Sequence, residues 1–172
     1  METWDAIRAR RNVRQFADRP IAADDLDRIL EAGRRAPSSR NWQPWDFVVV
    51  TDRDQLGRLA QVWRGGGHIA GAAACVALVG PVIADDERAR GWLFFDHGQA
   101  TMQLQLTTAD LNIGSCHSAI GDHDLARDLL GYPEDRFCVA LFSFGYPAER
   151  PLKPLQRPNR RPLAEVAHRG RW

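Results

Sequence analysis

The sequence predicts an α+β fold, with helices packed on a central sheet. Three observations carry that reading. Short β-branched or small apolar runs, bounded by turn residues, read as buried strands. Longer segments place apolar residues at 3-4 spacing and read as helices. The two kinds of segment mix without the strict alternation of βαβ units. A chain of 172 residues suits one domain and can bury a real core.

In chain order, Thr3 is placed to cap a short helix running through Ile7. A basic turn follows, Arg10-Arg11-Asn12-Val13-Arg14, and Pro20 breaks the chain. A helix is expected over residues 22–35, with Leu26, Ile29, Leu30 and Gly33 on one face, until Pro37 stops it. Residues 38–41 read as a polar loop and 47–50 as an apolar strand. Thr51 and Asp52 cap a helix toward Trp63, and Gly65-Gly66-Gly67 interrupts the pattern. A buried strand is expected over 72–80, ended by Pro81. Residues 87–111 read as one long helix. Trp92, Phe95, Gln99, Met102 and Leu106 recur along it, and much of its other face is apolar too. Such a helix calls for cover on two sides, from the core or from a second subunit. A short strand over 113–117, a helix over 124–130 and a strand over 137–144 complete the pattern. Beyond Gly145 come Pro147, Pro151, Pro154, Pro158 and Pro162, which predict an extended arm from about residue 146.

Composition narrows the function. Hydrophobic residues make up 44% and charged residues 26%, which excludes a disordered chain. The net charge of +1 provides no field for nucleic acid or a membrane surface. No apolar run is long enough to span a bilayer, and Met1-Glu2-Thr3-Trp4-Asp5 lacks a signal pattern, so a cytoplasmic protein is expected. Cys75, Cys116 and Cys138 form no C-x-x-C pair and read as buried free thiols. The five histidines are scattered without metal-ligand spacing, and no metal is expected.

Four segments could carry chemistry. Arg10, Arg11 and Arg14 offer guanidinium forks suited to phosphate oxygens, with Asn12 as an added amide; the alternative is a solvated basic turn. Residues 36–45 set Ser38, Ser39, Asn41 and Gln43 between prolines and beside Trp42 and Trp45. That suits a planar ligand with a polar edge, against the alternative of a capped surface loop. Residues 112–121 are small enough to let backbone approach a flat ring. Cys116 and His117 are neighbours there, but strand neighbours point to opposite faces, so they do not make a nucleophile–base pair. Arg157, Arg160 and Arg161 again concentrate arginine, in the extended arm. There is no G-x-G-x-x-G, Walker A, H-E-x-x-H or G-x-S-x-G motif.

Taken together, these segments resemble the FMN-dependent nitroreductase family. The R-R-S-x-R-x-F pattern is met by residues 10–16, with Asn12 for Ser. A-P-S-S-x-N-x-Q-P-W-x-F is met by residues 36–47. G-L-G-T-C-W has a counterpart at 112–117, with Asn112 and His117 in place of Gly and Trp. G-Y-P-x-E and R-x-P-L-x-E-V are met by 145–149 and 160–166.

The resemblance implies a sandwich with a mostly antiparallel central sheet, in an intertwined homodimer with FMN at the subunit interface. It implies that Arg10, Arg11, Asn12 and Arg14 approach FMN from one subunit, with Arg160 or Arg161 at the phosphate. Pro37, Ser38, Ser39 and Asn41 would come from the other subunit, and the backbone at Ser118 and Ala119 would face the ring. The activity implied is ping-pong hydride transfer from NADH or NADPH through flavin N5 to a nitroaromatic, quinone or similar conjugated acceptor. No side chain serves as a catalytic nucleophile. Flavin cleavage, dehalogenation, oxidase chemistry or non-catalytic flavin binding remain as alternatives.

Overall fold

The computed structural model describes all residues, 1–172. Four strands form one antiparallel sheet: β1 (Asp46–Val50), β2 (Ala74–Pro81), β3 (Gly114–Ser118) and β4 (Arg136–Gly145), in the order β1-β2-β4-β3. Five helices surround it: α1 (Thr3–Ala9), α2 (Ala23–Arg34), α3 (Arg53–Leu59), α4 (Glu87–Asp110) and α5 (His123–Leu130). The expected α+β sandwich with an antiparallel sheet is therefore the fold.

Each face of the sheet has its own core, set by the two-residue period of the strands. Cys75, Ala77 and Val79 of β2 pack with α3 and α5 through Leu56, Leu59 and Leu129. Val76 and Leu78 pack on the opposite face, with Ile29 of α2 and Ala100 and Leu104 of α4. A one-residue bulge opposite Leu78 and Val79 lets Cys138 and Leu141, three apart on β4, join the same core. All three cysteines are buried free thiols, as expected.

Several details differ from the sequence expectations. Thr3 lies inside α1 rather than capping it; Glu2 holds the cap position without a side-chain bond, and the helix runs on to Ala9. Asp52 does cap α3, its carboxylate accepting from the Gln55 N–H at 2.8 Å, but the helix stops at Leu59, well short of Trp63. Of β1, only Val50 is buried, because β1 is an edge strand. The stripe singled out on α4 is not its core face. Trp92 is 45% exposed and Phe95 59%, while the buried side carries Leu93, Ala100 and Leu104. The helix has two apolar faces, and within one chain only one is covered. The arm is not wholly outside the core either. Leu152 is buried with Ala9, Val13 and Ala109. No helix is long and apolar enough to cross a membrane.

Close packing against two glycines places the basic turn. A Cβ added at Gly114 would lie 2.7 Å from Val13 Cβ, and one at Gly145 would meet the Phe16 ring at 2.8 Å. Val13 is buried and has nowhere to retreat. Gly114→Ala should therefore cost about 1–3 kcal/mol of stability. Urea unfolding checks this, and an unchanged midpoint would refute the tight contact.

Candidate active site

The basic turn leaves α1 at Arg10, whose N–H donates to the Ala6 carbonyl at 3.0 Å. It then crosses the edge of the sheet. Asn12 forms a parallel bridge with Ser115, and the Val13 N–H donates to the Ser115 carbonyl at 2.9 Å. Past the turn, the arm folds back over it. The Ala17 N–H donates to the Tyr146 carbonyl at 2.8 Å, and the Ala148 N–H to that of Gln15 at 3.0 Å. Backbone bonds on both sides thus hold a cationic segment that long side chains alone would leave loose. Arg11 is partly committed, because its guanidinium donates to the Arg150 carbonyl at 2.7 Å.

Arg10, Arg11, Asn12 and Arg160 line one cavity of about 660 Å³, together with Gln105, His117 and Phe142. Arg14 lines a smaller neighbouring cavity of about 250 Å³ that shares Arg11 and Asn12. Arg10, Arg14 and Arg160 form no ion pair within the chain. Arg161 is exposed and lines neither cavity. Two buried polar atoms among the residues lining the larger cavity, Asn12 Oδ1 and Gln105 Nε2, lack a hydrogen-bond partner. Cationic groups with orphaned donors and acceptors make a site for an anionic, hydrogen-bonding ligand.

The second loop is built differently. Arg40, Asn41 and Gln43 all take left-handed backbone, with φ of 52°, 57° and 54°. Such residues are held there only when their surroundings insist. Three bonds do so. The Ser39 N–H donates to Asp96 Oδ2 at 2.8 Å, the Gln43 N–H to Ser38 Oγ at 2.9 Å, and Gln43 Nε2 to the Asn41 carbonyl at 3.1 Å. Pro44 and Trp45 are buried at the exit of the loop. Ser39 borders a cavity of about 720 Å³ with Trp42 and Trp92, and Pro37 and Asn41 are exposed. Neither the loop's cavity nor the two beside the basic turn takes residues from both segments.

At the end of β3, Ser118 is buried and its Oγ donates to the Ala119 carbonyl at 3.2 Å. Its hydroxyl hydrogen is thereby used within the chain. Cys116 is buried and His117 exposed, on opposite faces as the strand requires. Burial pushes the Cys116 thiol up, and the nearby Arg14 only partly offsets this. Such a thiol does not supply a thiolate at neutral pH.

Three residues that sequence reasoning missed stand beside these elements. Asp96 anchors the second loop from the buried face of α4. Gln105 is buried on α4 with three other polar side chains, Asp96, His97 and Thr108, so no single polar interruption marked it in the sequence. His68 sits in the short turn 67–69, where Ser143 Oγ is 2.8 Å from its Nδ1 and donates to the Cys116 carbonyl at 3.2 Å. The hydroxyl has one hydrogen, so His68 Nδ1–H is the donor. Burial, then Arg14 and His117, pull the His68 pKa down, which favours the neutral ring.

The molecule thus joins an α+β sandwich to an arginine-lined cavity at one sheet edge, with a strained Ser-Asn loop elsewhere. The chain belongs to the nitroreductase family, whose profile matches residues 7–74 and 63–146, and it is an oxidoreductase of that family. A provisionally named NADH dehydrogenase/NAD(P)H nitroreductase of Archaeoglobus fulgidus is 31% identical over 179 residues, covering 99% of both chains. An NADH dehydrogenase of Thermus thermophilus is 28% identical, covering 87% of this chain and 88% of its own. Among solved structures, an FMN-dependent nitroreductase of Clostridium difficile superposes with a TM-score of 0.83 at 24% identity, covering 97% of this chain and 98% of its own. The NADPH:FMN oxidoreductase of Vibrio harveyi, solved with NAD+, superposes with a TM-score of 0.82 at 25% identity, covering 97% of this chain and 76% of its own.

Proposed function

We propose that the protein is an FMN-dependent NAD(P)H oxidoreductase that acts as a homodimer, with FMN between subunits. The convergence of Arg10, Arg11, Asn12 and Arg160 on one cavity with unsatisfied polar atoms carries this reading. The residues fit the group. Guanidinium forks suit the phosphate, the orphaned amides suit a hydroxylated chain, and Phe142 and Met102 give apolar wall for a ring. FMN held there would supply ping-pong hydride chemistry at N5 between NADH or NADPH and a nitroaromatic, quinone or similar conjugated acceptor.

The chain's own residues supply position and charge. Arg10 and Arg160 hold the phosphate, and Arg161 assists from the arm. Arg11 lies alongside them, braced against the Arg150 carbonyl. Arg14, which lines the adjoining cavity, would set positive charge close to the ring. Pro37, Ser38, Ser39 and Asn41 of the second subunit close the site. By the family resemblance, backbone at Ser118 and Ala119 would face the ring; neither residue lines the arginine cavity within one chain. The dimer is supported by the uncovered stripe of Trp92, Phe95 and Met102, and by exposed Leu163, Val166 and Trp172 on the arm. We read residues 1–172 as one domain whose arm, from about residue 146, reaches a neighbour. Three buried thiols suit a reducing compartment, the cytoplasm.

Purified protein should be yellow, or become so with added FMN, and mass analysis should identify the released chromophore as FMN. It should oxidise NADH or NADPH steadily with a nitroaromatic present. No flavin uptake in equilibrium dialysis would overturn the cofactor. Uptake without turnover would point to other flavin chemistry.

A further inference from the structure

Gln105 is 3% exposed, yet its Nε2 has no hydrogen-bond partner. A buried unpaired amide is costly, and Leu or Met would fill similar space without that cost. Gln105 lines the cavity it shares with Arg10, Arg11, Asn12 and Arg160. A second buried orphan, Asn12 Oδ1, belongs to the same lining. One atom is a donor and the other an acceptor, and neither satisfies the other. A phosphate dianion offers acceptors only, so it could pair with Gln105 but not with Asn12 Oδ1. A hydroxyl both accepts and donates, so one group can satisfy both atoms.

We propose that Gln105 and Asn12 together hold a hydroxyl of the ribityl chain of FMN, beside the arginines that take its phosphate. This rests on the FMN reading above and assigns a further binding residue, on α4. The cavity thereby selects a phosphorylated polyol arm, not an anion alone. Charge comes from the arginines, and recognition of the hydroxyl comes from the amide pair.

The test is a fluorescence titration of flavin-stripped protein with FMN and with riboflavin, which keeps the hydroxyls and lacks the phosphate. Gln105→Leu should weaken both flavins by the same factor, about five- to tenfold. The double variant with Asn12→Leu should lose less than the product of the single losses, because both residues serve one group. A loss confined to FMN would place Gln105 on the phosphate and overturn the proposal. Unchanged affinity for both flavins would overturn it too, as would independent losses in the double variant. Gln105→Met replaces the Leu variant if thermal unfolding shows that the latter does not fold. Wild-type protein that takes up neither flavin defeats the FMN reading itself. Wild-type binding that Gln105→Leu leaves intact defeats only the hydroxyl assignment.

Discussion

Two inactive variants should restore activity when they are expressed together. Arg14→Ala damages the basic turn, and Asn41→Gly damages the second loop. Glycine is chosen because Asn41 has a φ of 57°, which alanine would strain. In one chain these residues line no common cavity among those described: Arg14 borders the smaller cavity formed by the turn and the start of the arm, and Asn41 is exposed in the loop beside Trp42. If each site takes the turn from one subunit and the loop from the other, each single-variant homodimer has two damaged sites. A mixed dimer has one site with both lesions and one with neither. Random pairing makes about half the dimers mixed, so about a quarter of all sites are intact under two-fold symmetry. NAD(P)H-driven reduction should recover toward about a quarter of the wild-type rate. Mixed dimers, isolated by two affinity tags, that stay as inactive as their parents would rule out a shared site.

Arg10→Ala should weaken FMN binding by about tenfold to a hundredfold, since a hydrogen bond to a charged group is worth roughly 1.5–3 kcal/mol. The substitution leaves the fold alone: the backbone N–H of Arg10 closes α1, and its side chain is in no ion pair. Riboflavin affinity should hardly move, because riboflavin has no phosphate to lose. Isothermal titration with both flavins checks this. Equal losses for the two would remove Arg10 from the phosphate. The contrast with Gln105, where both flavins should lose equally, separates the two parts of the cavity.

The architecture was largely legible because the strong signals were local. The apolar run 72–80 marked a buried strand, and β2 is buried from Ala74 to Gly80, although the strand starts at Ala74 and runs through Pro81 instead of ending before it. Asp52 announced a cap that the backbone geometry bears out. The limits of that approach show at α3 and β1. The pattern toward Trp63 continued past the true helix end, where the chain turns so that Val62 can pack and its carbonyl can accept from Gly121 and Asp122. Edge position left most of β1 unburied, and position in a sheet is not written in five residues.

Residue type and spacing by themselves determined the α+β mix and which segments carry the polar and cationic groups, because they act over a few residues. The family and its antiparallel sandwich came from the resemblance of those motifs as a set. Only the tertiary structure decided which groups meet. It brought Arg160 in the arm to Arg10, 150 positions earlier, and set Gln105 of α4 among them. It tied Ser39 to Asp96 across 57 positions. It also set the basic turn and the Ser-Asn loop on separate cavities, and turned the Trp92 face of α4 outward. Such meetings depend on how α4 and the sheet edge pack, a sum over many weak apolar contacts that no single segment carries.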